Sequence, residues 1–383
     1  MHETDRAEPL IPFRIGGRKL TLRSESKIQN PDASGFCRSE GERRGFAGRG
    51  KRRKMLPGVR LTPGWTAKNN GVTDMKIFID GSAGTTGLRI HERLGKRSDL
   101  SLITLGEAER KDASVRREAL NRADVVFLCL PDDAAREAVS MVENPDTVIL
   151  DTSTAHRTAD GWAYGFPELS AAHRERVMHS RRIAVPGCHA SGFIALVYPL
   201  VEAGILAPSV PLSCFSLTGY SGGGKKMIAA YESPDRDPLL GAPRIYGLSQ
   251  VHKHLPEMKA VTGLDTPPVF CPTVADFYSG MLVTVPLSVS LLAPGKTADD
   301  VRAALSAKYR GEIVRYCEDA DEAGFLSAAA LSGKDSMEIS VFGNDERILL
   351  AARYDNLGKG ASGAAVECLN LLLGAGETTG LVL

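Results

Sequence analysis

The chain has 383 residues, 47 Lys+Arg against 46 Asp+Glu for a formal net charge of +1, and 43% hydrophobic residues. So balanced a charge points to no nucleic-acid or membrane partner, and the length suits a soluble globular protein of two or more domains. Seven cysteines stand singly with no CxxC pair, and no apolar run approaches the roughly 18 residues of a membrane span; the expected setting is reducing and cytoplasmic, without a disulfide framework.

Residues 1–74 read unlike the remainder. They carry basic clusters such as Arg43, Arg44, Arg49 and Lys51 to Lys54, with little sustained periodicity, and the expectation is a disordered extension. The acidic residues Glu3, Asp5, Glu8, Glu40 and Glu42 argue against a transit peptide, which is poor in acid. A strand pattern begins directly after Met75, which makes Met75 the expected natural start.

From Met75 onward, strands and helices alternate. KIFID (76–80) has a buried-strand pattern and runs into GSAGTTG (81–87) and a helix to Leu94. Apolar strands follow at 101–105, 124–130 and 147–150, with a helix at 133–142 between the last two. This alternation predicts a parallel sheet with crossover helices, a Rossmann-type α/β domain over 75–187. Beyond residue 188, alternating stretches at 213–217, 281–291, 337–341 and 347–351, with a helix at 298–309, predict an α+β domain with a mixed or antiparallel sheet over 188–352. The tail, 353–383, holds an apolar helix at 361–373 expected to return to the first domain.

IAVPGCHASG (183–192) is the centre of the functional reading. A short strand is stopped by Pro186 and Gly187, and a helical apolar pattern runs from Phe193, so Cys188 falls where a helix starts. Unpaired N–H groups and the helix dipole there favour an anion, which would lower the thiol pKa and make a nucleophile. The competing reading is a small buried apolar side chain.

GSAGTTG follows a strand and opens a helix, the context of a dinucleotide-binding turn, although its spacing is GxxGxxG rather than GxGxxG. Gly81, Ser82, Ala83, Gly84, Thr85, Thr86 and Gly87 are the candidate pyrophosphate cradle, in which glycines permit close approach and the helix start supplies N–H groups. After the second strand, Glu107 suits a 2′-hydroxyl, whereas Arg110 and Lys111 suit a 2′-phosphate. Two cations against one carboxylate favour NADP, used as NADPH.

His252 and His254, in VHKHLPEM, are candidates for general acid and base. Read as extended chain, they point to opposite faces, so one of the pair is expected at Cys188. Zinc held by these two with Glu257 is an alternative, but no convincing further ligand accompanies them, and the expectation is no metal. In TGYSGGGKK, Ser221 and Lys225 suit an anionic substrate. In DTSTAHR, Arg157 lies past a strand end, where α/β sites form, as a candidate for a phosphate or carboxylate. Asn356, in DNLGKGASG, can orient an amide, with Gly358 and Gly360 leaving room for a planar ring.

Together GSAGTTG, DTSTAHR, VPGCHASG, TGYSGGGKK, VHKHLPEM and NLGKGASGAA resemble the N-acetyl-gamma-glutamyl-phosphate reductases of arginine biosynthesis, in their shorter form. The likeness runs from about Met75 to the C-terminus. His189 stands where the longer form tends to have an aromatic residue. The resemblance implies a Rossmann NADP domain joined to one like that of glyceraldehyde-3-phosphate dehydrogenase, with the active site between them. It further implies Cys188 as nucleophile, one HxH histidine as acid/base with His254 slightly preferred, a small acyl-phosphate substrate, and a homo-oligomer, expected as a tetramer. Rival readings are an aspartate-semialdehyde dehydrogenase, in which asparagine rather than Gly187 usually precedes the cysteine, a thiol hydrolase, and a non-catalytic nucleotide-binding protein.

Overall fold

The computed structural model describes residues Met75–Leu383. The expectations placed on residues 1–74 and on Met75 as a start lie outside the described residues. From Met75 the chain forms β1 (Met75–Asp80), α1 (Thr85–Leu94), β2 (Leu100–Ile103), α2 (Ala113–Arg122), β3 (Val125–Leu128), α3 (Asp132–Met141) and β4 (Val148–Asp151). It continues with β5 (Ala163–Tyr164), α4 (Ala171–His179) and β6 (Arg182–Ala184). These strands make one six-stranded sheet in the order β2-β1-β3-β4-β6-β5, every pair parallel.

Near-continuous apolar strands such as VVFL at β3 are what a sheet covered on both faces requires. Alternate residues accordingly enter two cores: Ile77, Phe127 and Leu150 pack toward α1, whereas Phe78, Val126 and Ile149 pack toward α2 and α3. Local caps fix the helix starts. Asp112 accepts from the amide of Ser114 at 2.8 Å at the head of α2, and Ser170 from that of His173 at 3.2 Å at α4. The order of strands reverses between β1 and β3, so the crevice beyond their carboxyl ends is where ligands of such sheets sit.

The second half contains α5 (Cys188–Glu202), β7 (Ser213–Gly219), α6 (Gly224–Glu232), β8 (Arg244–Ile245), α7 (Leu255–Thr262), β9 (Val269–Ala275) and β10 (Met281–Ser288). After these come α8 (Ala298–Lys308), β11 (Val314–Tyr316), β12 (Met337–Gly343), β13 (Arg347–Tyr354) and α9 (Gly363–Leu373). The seven-stranded sheet has the order β11-β12-β13-β10-β7-β9-β8 and is mixed: β7–β9 and β11–β12 are parallel, the other pairs antiparallel. The run expected as strand to Leu291 stops at Ser288, whose hydroxyl takes the amide of Ser290 at 3.3 Å and turns the chain.

Two helices are buried around almost their whole circumference and are mostly apolar, as central helices must be. Helix α5 lies against β10, β13, α7 and α8, with Phe193, Leu196 and Leu200 buried. Helix α9 packs Ala365, Val366 and Leu369 among Ile77, Phe127 and Leu150 of the parallel sheet. It begins not at 361 but after a π turn at Gly358–Ser362. Among the described residues, no helix is long and apolar enough to cross a membrane.

Candidate active site

Cys188 is the first residue of α5, and Gly187 before it has extended backbone. The cysteine lines a cavity of about 310 Å³ together with Thr85 and Thr86 of the glycine turn, Arg157, His252 and His254. The helix start, the glycine turn and the HxH segment thus share one space. Gly187 is there for want of a side chain: a Cβ would lie 2.3 Å from Arg157 Nη1 and 2.5 Å from His254 Nε2.

The thiol does not behave as the helix-start argument expects. Burial pushes the Cys188 pKa up from 9.0, against the opposing pull of Arg157, the His189 amide and Lys253. Desolvation outweighs the helix terminus, because a charge in a water-poor pocket loses more hydration than partial dipoles return.

The HxH segment is likewise not extended. His254 has helical backbone angles immediately before α7, and its amide donates to His252 Nδ1 at 3.2 Å. This turn brings both rings to the same cavity, their centroids 4.8 Å apart, so the expectation that the pair faces opposite ways is corrected. His254 is buried, its Nδ1 has no hydrogen-bond partner among the described residues, and burial followed by the Arg157 charge holds its pKa well below 6.5. The free Nδ1 gives the ring unsatisfied hydrogen-bonding capacity, the geometric requirement for a proton acceptor, while the lowered pKa makes the imidazole a weaker base than an exposed one. Burial lowers the His252 pKa as well.

Glu257, weighed in the sequence only as a metal ligand, has other engagements. Its Oε1 accepts the Gly187 amide and the Tyr164 hydroxyl, each at 2.8 Å, and its Oε2 accepts Arg157 Nη1 at 3.0 Å. Arg157 also donates to the carbonyls of Val185 and Thr152, both at 2.9 Å. The guanidinium is thus held at the cavity wall by three partners. Asp151 orders the same loop, accepting Ser153 Oγ at 2.7 Å and meeting His156 Nδ1 at 2.6 Å.

Asn356 lines the cavity, its amide fixed between the Gly280 N–H at 2.9 Å and Ser221 Oγ at 3.0 Å. Ser221 is therefore buried behind Asn356 rather than among the lining residues, and Lys225 is exposed on α6, outside the lining. At Gly360 a Cβ would come within 3.1 Å of Cys188 Cβ, so the π turn packs directly on the nucleophile.

Residues that motif reading did not single out include Met227, Tyr246 and Lys253, which line the cavity with Thr152 of DTSTAHR and Thr218 of TGYSGGGKK. Lys253 was visible inside HKH; Tyr246 and Met227 carried no local signal. His189, whose role was open, is buried between Ser216 Oγ and the Tyr246 hydroxyl at 2.6 Å each, and burial lowers its pKa to about 3.

The glycine turn fits a dinucleotide. Gly81 has φ +88°, and a Cβ there would lie 2.3 Å from the carbonyl oxygen of Cys129; one at Gly87 would lie 2.4 Å from that of Gly81. The backbone is therefore bare where β1 meets α1, with Gly84 as N-cap and Ala83 exposed. Arg110 lines a cleft with Gly81, Ser82 and the chain at 102–105, beyond the ends of β1 and β2. Lys111 follows it in an exposed short turn.

Residues 82–177 match the family model described as semialdehyde dehydrogenase, NAD binding domain, and residues 188–356 match the semialdehyde dehydrogenase, dimerisation domain. The fold is similar to that of aspartate semialdehyde dehydrogenase II from Vibrio cholerae, with TM-score 0.61 and 15% identity over 79% of this chain and 98% of that one. N-acetyl-gamma-glutamyl-phosphate reductase 2 of a Nostoc species is 47% identical over 319 residues, 80% of this chain and 99% of its own. The N-acetyl-gamma-glutamyl-phosphate reductase of Rhizobium meliloti is 48% identical over 307 residues, 78% and 99% of the two chains. With a cysteine, three imidazoles and Thr85 and Thr86 of the glycine turn in one cavity, and relatives this similar over nearly their full length, the chain belongs to the N-acetyl-gamma-glutamyl-phosphate reductase family.

Proposed function

We propose that this chain reduces N-acetyl-glutamyl 5-phosphate with NADPH to N-acetyl-glutamate 5-semialdehyde and phosphate, a step of arginine biosynthesis, through a thioester on Cys188. The observation that carries the reading is the shared cavity: Cys188 at the head of α5, the neutral His254 beside it and Thr85 and Thr86 opposite.

Neutral His254 takes the thiol proton as Cys188 attacks the acyl phosphate, and phosphate leaves. Bound NADPH supplies the hydride that reduces the thioester. Amides at the start of α5 hold the oxyanion of the resulting thiohemiacetal, a contribution of about 3–4 kcal/mol for one good donor. The oxyanion collapses to the aldehyde as the carbon–sulfur bond breaks, and His254, which still carries the thiol proton, returns it to the sulfur, with His252 as the second imidazole of the pair. Arg157 presents positive charge to the anionic substrate from the wall, Ser221 sets the Asn356 amide, and Lys225 adds charge near the glycine-rich turn. Gly81 to Gly87 form the pyrophosphate cradle, and Arg110 with Lys111 pairs with the 2′-phosphate.

We read residues 75–187 as the NADP domain, 188–352 as the catalytic and oligomerisation domain and 353–383 as the returning helix, in a cytoplasmic homotetramer. The exposed apolar residues Phe215, Val269 and Leu349 of the seven-stranded sheet support self-association; light scattering tests the tetramer. The activity is tested in reverse, by following NADP reduction with phosphate and either N-acetyl-glutamate semialdehyde or aspartate semialdehyde. Turnover of the first alone is expected; turnover of the second alone would refute the assignment.

A further inference from the structure

Tyr354 ends β13, two residues before Asn356, and is fully buried. Its hydroxyl donates to the carbonyl oxygen of Cys188 and accepts the amide of Gly192 at 3.0 Å. Those two groups are the acceptor and donor of the i→i+4 bond that an α-helix would start at Cys188, and the phenol engages both. Gly192 makes room for it: a Cβ there would lie 2.7 Å from the phenol oxygen. The other side of the same peptide matters to the chemistry, because the His189 amide is among the groups that pull the Cys188 pKa down. The Tyr354 O–H thus engages the carbonyl end of the 188–189 peptide, whose N–H is the amide next to the nucleophile's own side chain. Donation to a carbonyl polarises the peptide and strengthens its N–H as a donor.

We propose that Tyr354 is a positioning residue for the nucleophile, holding and polarising the Cys188–His189 peptide so that its N–H stabilises the thiolate. The proposal rests on the reading of Cys188 as nucleophile. The charged and titratable groups that face the sulfur are Arg157, Lys253 and Glu257, with His189, His252, His254 and Tyr246 on the same cavity; among the described residues, none of these side chains hydrogen-bonds to the two groups engaged by the phenol.

The test is the pH dependence of iodoacetamide alkylation at Cys188, read by mass spectrometry of its peptide, in the wild type, Tyr354→Phe and Tyr309→Phe. Tyr309 is the control because its buried hydroxyl donates to the Ala195 carbonyl of the same helix at 2.7 Å, away from the sulfur. Tyr354→Phe is expected to raise the thiol midpoint by about 0.5–1 unit and to slow alkylation at pH 7 about 3–10-fold. It should also lower kcat with the KM for NADPH unchanged, whereas Tyr309→Phe should reduce thermal stability and leave the alkylation profile in place. Should Tyr354→Phe yield no folded protein, 3-fluorotyrosine at position 354, which keeps the ring and makes the phenol a stronger donor, is expected to shift the midpoint downward. A profile superimposable on wild type in whichever of the two folds, or an equal shift in Tyr309→Phe, overturns the proposal. Because alkylation is read without turnover, this failure is distinct from failure of the thioester scheme, which Cys188→Ser activity decides.

Discussion

Glu257 Oε1 accepts the backbone amide of Gly187 at 2.8 Å, which joins the segment before the nucleophile to the helix that begins after His254. The same carboxylate holds Arg157 and Tyr164, so one buried side chain sets the mutual position of nucleophile, acid/base and cation.

Glu257→Gln should therefore damage both stability and catalysis. The amide keeps one acceptor for Gly187 but leaves Arg157, buried at the wall, without its counter-charge. Breaking a buried pair from one side costs about 3–5 kcal/mol. Urea unfolding at neutral pH is expected to show a loss of that order, with a fall in kcat. An unfolding midpoint equal to wild type would mean that Arg157 finds other compensation.

Gly187→Ala is expected to separate activity from folding. The added methyl would overlap Arg157 and His254, and overpacking of this kind costs about 1–3 kcal/mol, which a protein of this size can absorb. The displaced imidazole, however, is the proposed base, whose removal costs about 10²–10⁴-fold in rate. A folded variant with a rate near wild type would place the proton transfer elsewhere.

The glycine loop and the PGC turn are visible in the sequence because their geometry is local: a β1–α1 junction with Gly81 at φ +88° needs glycine whatever surrounds it. The alternating strands are visible for the same reason, since a buried parallel sheet dictates apolar runs. What motif reading misses arrives through tertiary contact. Tyr354 comes from a strand 166 residues beyond Cys188, and Tyr164 reaches Glu257 from 93 residues away. Two of the local differences have clear physical causes. A helix dipole lowers a thiol pKa only where burial does not outweigh it, and an HxH pair is extended only where no helix follows, whereas Pro256 and Glu257 lie in the first turn of one directly after His254.

Acid should destabilise the fold through the histidine cluster. His189 is neutral in the folded protein down to about pH 3, because burial opposes its charge, while in the unfolded chain it takes a proton near its ordinary 6.5. Its folded pKa is depressed, so its contribution is present above pH 6.5 and is lost as the pH falls from there toward 3. Over that window the group is worth roughly 5 kcal/mol at most. His252 and His254 act in the same direction. The slope of unfolding free energy against pH below 6 should be shallower in His189→Asn than in the wild type; an identical slope would show that the cluster does not titrate on unfolding.

Cofactor choice should be decided at Arg110. It lines the cleft beyond β1 and β2 with Gly81 and Ser82, while Lys111 is exposed next to it. A charge-assisted hydrogen bond to a phosphate is worth about 1.5–3 kcal/mol, which is about 10–100-fold in affinity. Arg110→Ser is expected to raise the KM for NADPH by that factor and to leave the KM for NADH nearly unchanged, since a ribose without the 2′-phosphate does not use the guanidinium. Lys111→Ser should have a smaller effect in the same direction, because a solvated cation contributes less than one seated in the cleft. Equal losses with both cofactors would mean that Arg110 supports the β2 end structurally, and that the 2′-phosphate, if it is read at all, is read by other groups.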